Sequence, residues 1–248
     1  MKKSIILLSF IFAIIGLSAQ TTVEQANAAY SEGDFPKAAQ LYEEALRENG
    51  ESADVYYNLG NAYYRLNRVA PSILNYERAL LLQPGDGDIR FNLEIAKLKA
   101  VDKIEPVGEF FLTEAYNSVK NAGSTNQWSY LSIAFFILLV AGLFLYFFSR
   151  KIGWKKIGFY SGLAFLILCF ATATFAYSQK NKLTHRNTAI IFSATTTIKS
   201  SPDNSGTDLF ILHEGTKVDV KDQLNDWKKI ETADGNVGWI KSNELETI

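Results

Sequence analysis

The chain has a single cysteine, Cys169, and it sits inside an apolar run. No disulfide framework and no cysteine-based metal site can be built from it. Histidine is nearly as scarce: only His185 and His213 occur, and neither has a second metal-ligating group at useful spacing. Gly-rich phosphate loops, a nucleophile elbow and Cys/His pairings are missing as well. Asp86-Gly87-Asp88 lacks the later carboxylate of a calcium loop and reads as a helix cap. The sequence therefore offers no catalytic constellation and no cofactor site, and points away from an enzyme. Positive charge is short where a nucleic-acid binder needs it. Residues 20–105 carry nine Lys/Arg against fourteen Asp/Glu, and residues 187–248 carry six against ten.

Charge is missing altogether from two stretches. Trp128 to Phe148 and Ile157 to Tyr177 each run 21 residues without Asp, Glu, Lys, Arg or His. At a helical rise of about 1.5 Å per residue, each covers the hydrocarbon core of a bilayer. Trp128, Tyr130, Tyr146, Trp154, Tyr160 and Tyr177 lie toward the ends, where amphipathic rings prefer the headgroup level. Between the stretches, residues 149–156 hold Arg150, Lys151, Lys155 and Lys156. A short basic loop stays cytoplasmic, which predicts a transmembrane hairpin with both ends outside. With no Asp, Glu, Lys, Arg or His inside either span, the sequence points away from a proton relay or ion path and the pair reads as an anchor.

The first segment carries Lys2 and Lys3, an apolar run from Ile5 to Leu17 and then Ser18-Ala19-Gln20. This is the layout of a signal peptide over residues 1–19, with an uncleaved anchor as the alternative. It gives the hairpin the same orientation.

Residues 20–101 repeat with a period of 34. Asn27 falls on Asn61, Tyr30 on Tyr64, Tyr42 on Tyr76 and Ala45 on Ala79, and a further step places Asn58 on Asn92. That period is the one of the tetratricopeptide repeat (TPR), a helical hairpin that buries its apolar faces only by stacking on neighbours. The second unit resembles the TPR signature at Leu59-Gly60, Tyr63, Ser72, Tyr76, Ala79 and Pro84. Gly60 allows close helix approach, while Tyr42 and Tyr76 fill the space between hairpins. The resemblance implies a concave face lined by Asn27, Tyr30, Asn58, Asn61, Tyr64 and Arg65, where partner peptides bind. Asn27 and Asn58 fall where carboxylate-clamp domains place two asparagines, but Val23, Asp88 and Asn92 stand in place of the clamp's basic residues. The alternative is that the asparagines only tie helices together.

Residues 102–127 form a linker. Phe110-Phe111-Leu112, Ala115-Tyr116 and Val119 share one helical face, which suits a short helix lying on a membrane surface or one packed against the repeats. After a stalk over 178–186, residues 187–248 show six short β-branched or apolar segments: Thr188–Phe192, Thr195–Lys199, Leu209–Leu212, Lys217–Lys221, Trp227–Glu231 and Val237–Ile240. Such spacing predicts a closed or nearly closed small barrel. His213-Glu214-Gly215-Thr216, Trp227, Asp234-Gly235, Gly238-Trp239-Ile240 and Glu244-Leu245 resemble the bacterial SH3 domain in order and spacing. That likeness implies a face for peptides or cell-wall stem peptides, with Trp227 lining it and Gly238 and Trp239 structural.

The fold class expected is thus multidomain: all-α TPR repeats, a two-helix transmembrane hairpin over 128–148 and 157–177, and a small all-β SH3-like barrel. The domain order resembles that of the aerotolerance-operon Bat E family. This resemblance implies a protein-binding scaffold of the inner membrane, multi-pass and with both soluble domains periplasmic. Its partners would be von Willebrand A-domain membrane proteins of the same operon with an associated AAA+ ATPase, in an aerotolerance or envelope-stress complex. The alternative is a cell-wall sensor whose SH3 domain binds peptidoglycan while the repeats recruit a hydrolase.

Overall fold

In the computed structural model, which describes residues 22–105, 108 and 110–248, the chain divides into two compact units. The segment read as a signal peptide, residues 1–19, lies outside the described residues. The first unit gathers the described residues up to Leu80, Asp86–Gly108 and Arg186–Ile248; the second holds Leu81–Gly85 and Glu109–His185.

Five helices open the first unit: α1 (22–31), α2 (Phe35–Asn49), α3 (Ala53–Arg65), α4 (Val69–Leu82) and α5 (Gly87–Lys97). The 34-residue period reappears in the backbone. The Gly33 N–H donates to Tyr30 O as the Asn67 N–H does to Tyr64 O, and Asp34 N–H to Ala29 O as Arg68 N–H to Tyr63 O. Gly33 and Asn67, one period apart, both turn with positive φ, at 85° and 58°. Glycine and asparagine are the residues that tolerate this region. Asp34 then caps α2 by accepting from the Lys37 N–H, and Asp86 caps α5 by accepting from Asp88 and Ile89. The Asp86-Gly87-Asp88 phrase is therefore the helix cap that the sequence indicated.

Small side chains bring the helices together. Ala26, Ala38, Ala45, Ala62 and Ala79 are buried, and Tyr42 and Tyr76 fill the gaps between them. A Cβ on Gly60 would stand 2.7 Å from the Tyr76 ring, so only glycine lets α4 lie this close to α3. The buried Ser72 hydroxyl donates to Gly60 O at 2.9 Å across the same contact.

The sheet comprises β1 (Thr188–Ile191), β2 (Thr195–Lys199), β3 (Asp208–His213), β4 (Lys217–Leu224), β5 (Trp227–Glu231), β6 (Val237–Lys241) and β7 (Leu245–Thr247). All pairings are antiparallel, in the order β3-β2-β6-β5-β4-β1-β7. The six segments read from the sequence all form strands, but the sheet is open and has a seventh. After β6 a 3₁₀ turn, Ser242–Glu244, returns the chain as β7 beside β1. The two ends of the ladder, β3 and β7, then have no strand to join them. Instead of a strand, β7 meets the Arg78 guanidinium, whose Nη2 donates to Thr247 O at 2.7 Å.

Ala189, Ile191, Ile198, Leu212, Val218, Ile230 and Ile240 form the sheet's core, with Ile104 packed against it. Gly238 faces this core, where a Cβ would meet Ile198 Cγ2 at 2.3 Å. Trp239 does not share it. Burial alternates along β6 so that Gly238 and Ile240 are inside, while Val237, Trp239 and Lys241 lie on the other face. Trp239, read from the sequence as structural, therefore lies outside this core.

The second unit contains α6 (Phe111–Lys120), α7 (Thr125–Phe148) and α8 (Ile152–Thr184). The last two are long and apolar enough to cross a membrane by length and composition. They pack through glycine: a Cβ on Gly158 would stand 2.6 Å from Gly142 O and 2.7 Å from Tyr146 N. Such small-residue contacts are how apolar helices approach closely without a hydrophobic drive between them. The segment read as a stalk continues α8 as helix to Thr184. There the buried Gln179 donates to Lys120 O at 2.9 Å, and the Trp128 indole donates to the same oxygen at 2.8 Å. The Phe175 ring packs on both Tyr116 and Trp128, which holds α6 against α8.

Candidate partner-binding surface

The six residues assigned to the repeat groove are not equivalent once folded. Asn27 on α1 and Asn61 on α3 each accept a hydrogen bond from a tyrosine of the following helix. Tyr42 OH to Asn27 Oδ1 and Tyr76 OH to Asn61 Oδ1 are both 2.6 Å. Burial pushes Tyr42 up to about 12, with Tyr30 adding to it, and burial raises Tyr76 as well. Both hydroxyls are held as protonated donors at neutral pH. Asn61 Oδ1 also accepts from Asn92 Nδ2 at 3.1 Å, and that amide donates to Tyr57 OH at 2.8 Å. The carbonyl oxygens of Asn27 and Asn61 are thus taken by helix-to-helix ties, the alternative left open by the sequence.

Asn58, by contrast, is half-buried and has no side-chain hydrogen bond among the described residues. Tyr64 carries the Lys99 ammonium 3.9 Å from its ring centre. Arg65 lies 4.4 Å over the Phe35 ring, which itself packs edge-on against Tyr30 at 5.2 Å. Asn58, Tyr64 and Tyr30 are thus half-buried and Arg65 is exposed, while the side-chain oxygens of Asn27 and Asn61 are engaged between helices.

On the sheet, the strand register puts Trp227 opposite Lys241 and Trp239 opposite Lys229. Both tryptophans are half-buried on the same outer face, with the Lys241 ammonium 5.9 Å from the Trp227 ring. The sequence alone gives these two residues different roles; the register joins them.

Three clusters have no signal in the sequence, because each joins residues more than a hundred positions apart. Arg186 Nη1 donates to Glu51 Oε1 at 2.7 Å, and this bond holds the Glu51 carboxyl below the usual carboxylate range. Lys217 Nζ reaches Glu77 Oε2 at 2.7 Å. Asp102 accepts from the His213 N–H and the Thr216 hydroxyl, both at 2.7 Å, with His213 Nδ1 2.8 Å from its other oxygen. Burial pushes the Asp102 carboxyl up, but the bonds from Thr216 and His213 outweigh it and hold the group below its ordinary value.

Residues 23–89 match the tetratricopeptide repeat family. The chain contains TPR repeats. Such repeats are protein–protein interaction modules and build extended concave binding surfaces. The Sgt2 TPR domain from Aspergillus fumigatus is similar at 15% identity, over 67% of this chain and 80% of that one, with a TM-score of 0.31. No curated protein matches the chain.

Proposed function

We propose that this protein is a non-catalytic, membrane-anchored scaffold whose TPR repeats and sheet domain lie together on the outer side of the cytoplasmic membrane and hold partner proteins there. One observation carries the reading. Contacts from Glu51, Glu77 and Asp102, all before α7, to Arg186, Lys217 and His213, all after α8, lie within one compact unit. If α7 and α8 cross a bilayer, both flanks can meet only when the pair returns the chain to its starting side. The exposed apolar length of both helices supports that crossing, since water does not tolerate so much uncovered hydrocarbon. Arg150 and Lys151 between the helices, with Lys155 and Lys156 at the start of α8, favour the cytoplasm for that end of the pair.

Asn58, Tyr64, Arg65 and Tyr30 are the residues we assign to partner contact on the concave face. Domain order supports membrane proteins with von Willebrand A domains as those partners, in an aerotolerance or envelope-stress complex. The shared outer face of Trp227 and Trp239, flanked by Lys229 and Lys241, favours a second reading in which the sheet binds the acidic stem peptides of peptidoglycan.

Topology is the direct test. In a Cys169→Ala background, cysteines at Ser52 and Ser205 should react with a membrane-impermeant maleimide in intact spheroplasts, and one at Ser149 should react only after lysis. Labelling of one flank alone would require an odd number of spans and sink the hairpin. Pull-down by insoluble peptidoglycan separates the two readings of the sheet.

A further inference from the structure

On the side of α3 that carries Tyr56 and Tyr63 rather than Asn58 and Asn61, the first unit has a cavity of about 550 Å³. Arg47, Arg68 and Arg78 all line it, and the sheet contributes Phe192 and Glu246 to its wall. The charges there are unevenly spent. Arg78 is paired with Glu246 at 2.9 Å, and the Tyr63 hydroxyl donates to Glu43. Among the described residues, neither Arg47 nor Arg68 has an ion-pair partner; Arg68 lies 5.1 Å over the Tyr63 ring. Three arginines against Glu43 and Glu246 leave a net positive charge on the wall of a cavity of the size that binds small ligands and peptide segments.

A second observation is independent of charge. Asn75 lines the cavity and is 4% exposed; its Nδ2 donates to Pro71 O at 2.8 Å, but its Oδ1 has no partner. One turn later Arg78 Nε is likewise buried and unpartnered. Buried polar atoms are nearly always satisfied, so an unmet acceptor and an unmet donor one helical turn apart require explanation. Together they are the complement of a peptide group, which offers one N–H and one C=O.

We propose that this cavity binds an acidic, extended peptide segment of a partner protein. Its carboxylates pair with Arg47 and Arg68, and its main chain meets Asn75 Oδ1 and Arg78 Nε. Access to that pair requires Arg78 to leave both Glu246 and Thr247 O; the ion pair, whose acid is half exposed, opens at little cost, and the peptide's own carbonyl replaces Thr247 O as acceptor. The chain's own residues 1–21 contain no Asp or Glu, which points to a partner rather than that segment. The proposal goes beyond the concave-face reading; because Phe192 and Glu246 complete the wall, it shares with that reading the need for both flanks of the helix pair to lie on one side, which the cysteine labelling tests separately.

The test is fluorescence anisotropy on the full chain in nanodiscs, with a labelled, end-blocked octapeptide of alternating Leu and Glu and its Leu/Gln counterpart. We expect the Glu peptide to bind at low salt and the Gln peptide to bind at least tenfold more weakly. Arg47→Glu/Arg68→Glu, two exposed positions, should weaken the Glu peptide tenfold or more with unchanged circular dichroism. Asn75→Leu should weaken it several-fold, while Lys37→Ala, an exposed cation outside the cavity wall, should not. Equal binding of the two peptides, no binding of the Glu peptide, or indifference to the double arginine variant would each overturn the proposal. So would equal competition by inorganic phosphate, which would make the cavity a simple anion site.

Discussion

Lys217 of β4 places its ammonium 2.7 Å from Oε2 of Glu77 on α4, joining two residues 140 positions apart. The carboxylate is 9% exposed and its other cation, Lys97, stands farther off at 3.7 Å. Removing one partner of a buried pair is costly because the remaining charge stays desolvated. Lys217 is itself 41% exposed, so solvent screens the pair and the full penalty does not apply. Lys217→Met should lower stability by about 1–2 kcal/mol in urea unfolding. Glu77→Gln in the same chain should restore part of that loss. Additive losses in the double variant would mean that the two groups do not interact.

Acid should loosen the same association through Asp102. Its folded value lies below the ordinary 3.8, so its bonds contribute stability that is complete above that value. The contribution is lost as pH falls through the lower folded value, when the carboxyl takes up a proton. Glu51, lowered chiefly by Arg186, acts in the same direction. Asp102→Asn should cost on the order of 2 kcal/mol at pH 7 and flatten the fall in stability below pH 4. Parallel pH–stability curves for the variant and the parent would remove Asp102 as a cause.

The tryptophans test the register. Trp227 and Trp239 share an outer face, whereas Ile240 is fully buried. Trp227→Phe and Trp239→Phe should each cost less than about 1 kcal/mol, because solvent or a rotamer change fills the lost volume. Ile240→Ala should cost roughly 2–5 kcal/mol, as core truncations do. A loss at Trp239 as large as that at Ile240 would return it to the core.

That pair also marks where sequence reasoning stops. The alternation of Val237 and Trp239 against Gly238 and Ile240 is legible, since side chains alternate along any strand. Which set faces inward is decided by what crosses the sheet, and Ile198 Cγ2 lies where only Gly238 leaves room. The repeats were legible because Tyr42 and Tyr76, with Asn27 and Asn61, recur at one period and do the same work each time. β7 escaped because three residues, Leu245–Thr247, carry too little pattern to declare a strand. The ties from Glu51, Glu77 and Asp102 escaped because nothing local encodes a partner more than a hundred positions away. The arginine-lined cavity is hidden for the same reason: its wall includes Phe192 and Glu246.

Those ties make a last prediction about which pieces of the chain fold alone. Ile190 lies on the face of β1 opposite Ala189 and Ile191, the residues that fill the sheet's own core, yet it is 0% exposed. Ile248 is 1% exposed, and a Cβ on Gly215 would stand 3.1 Å from Ile73 Cδ1 of α4. Uncovering Ile190 alone costs about 1.5–3 kcal/mol, before the loss of the Asp102 and Glu77 bonds. A sheet of 63 residues has roughly 3–9 kcal/mol of stability in all at typical values. Residues 186–248 alone should therefore be marginal or unfolded. Residues 22–105 joined to 186–248 by a flexible Gly/Ser linker of about 15 residues should fold cooperatively without detergent. The two pieces added in trans should also associate. Thermal unfolding by circular dichroism decides the matter: the joined chain should melt at least about 10 °C above the sheet alone. Equal melting temperatures would mean that the repeats and the sheet are independent, and the observation that carries the hairpin topology would fall with them.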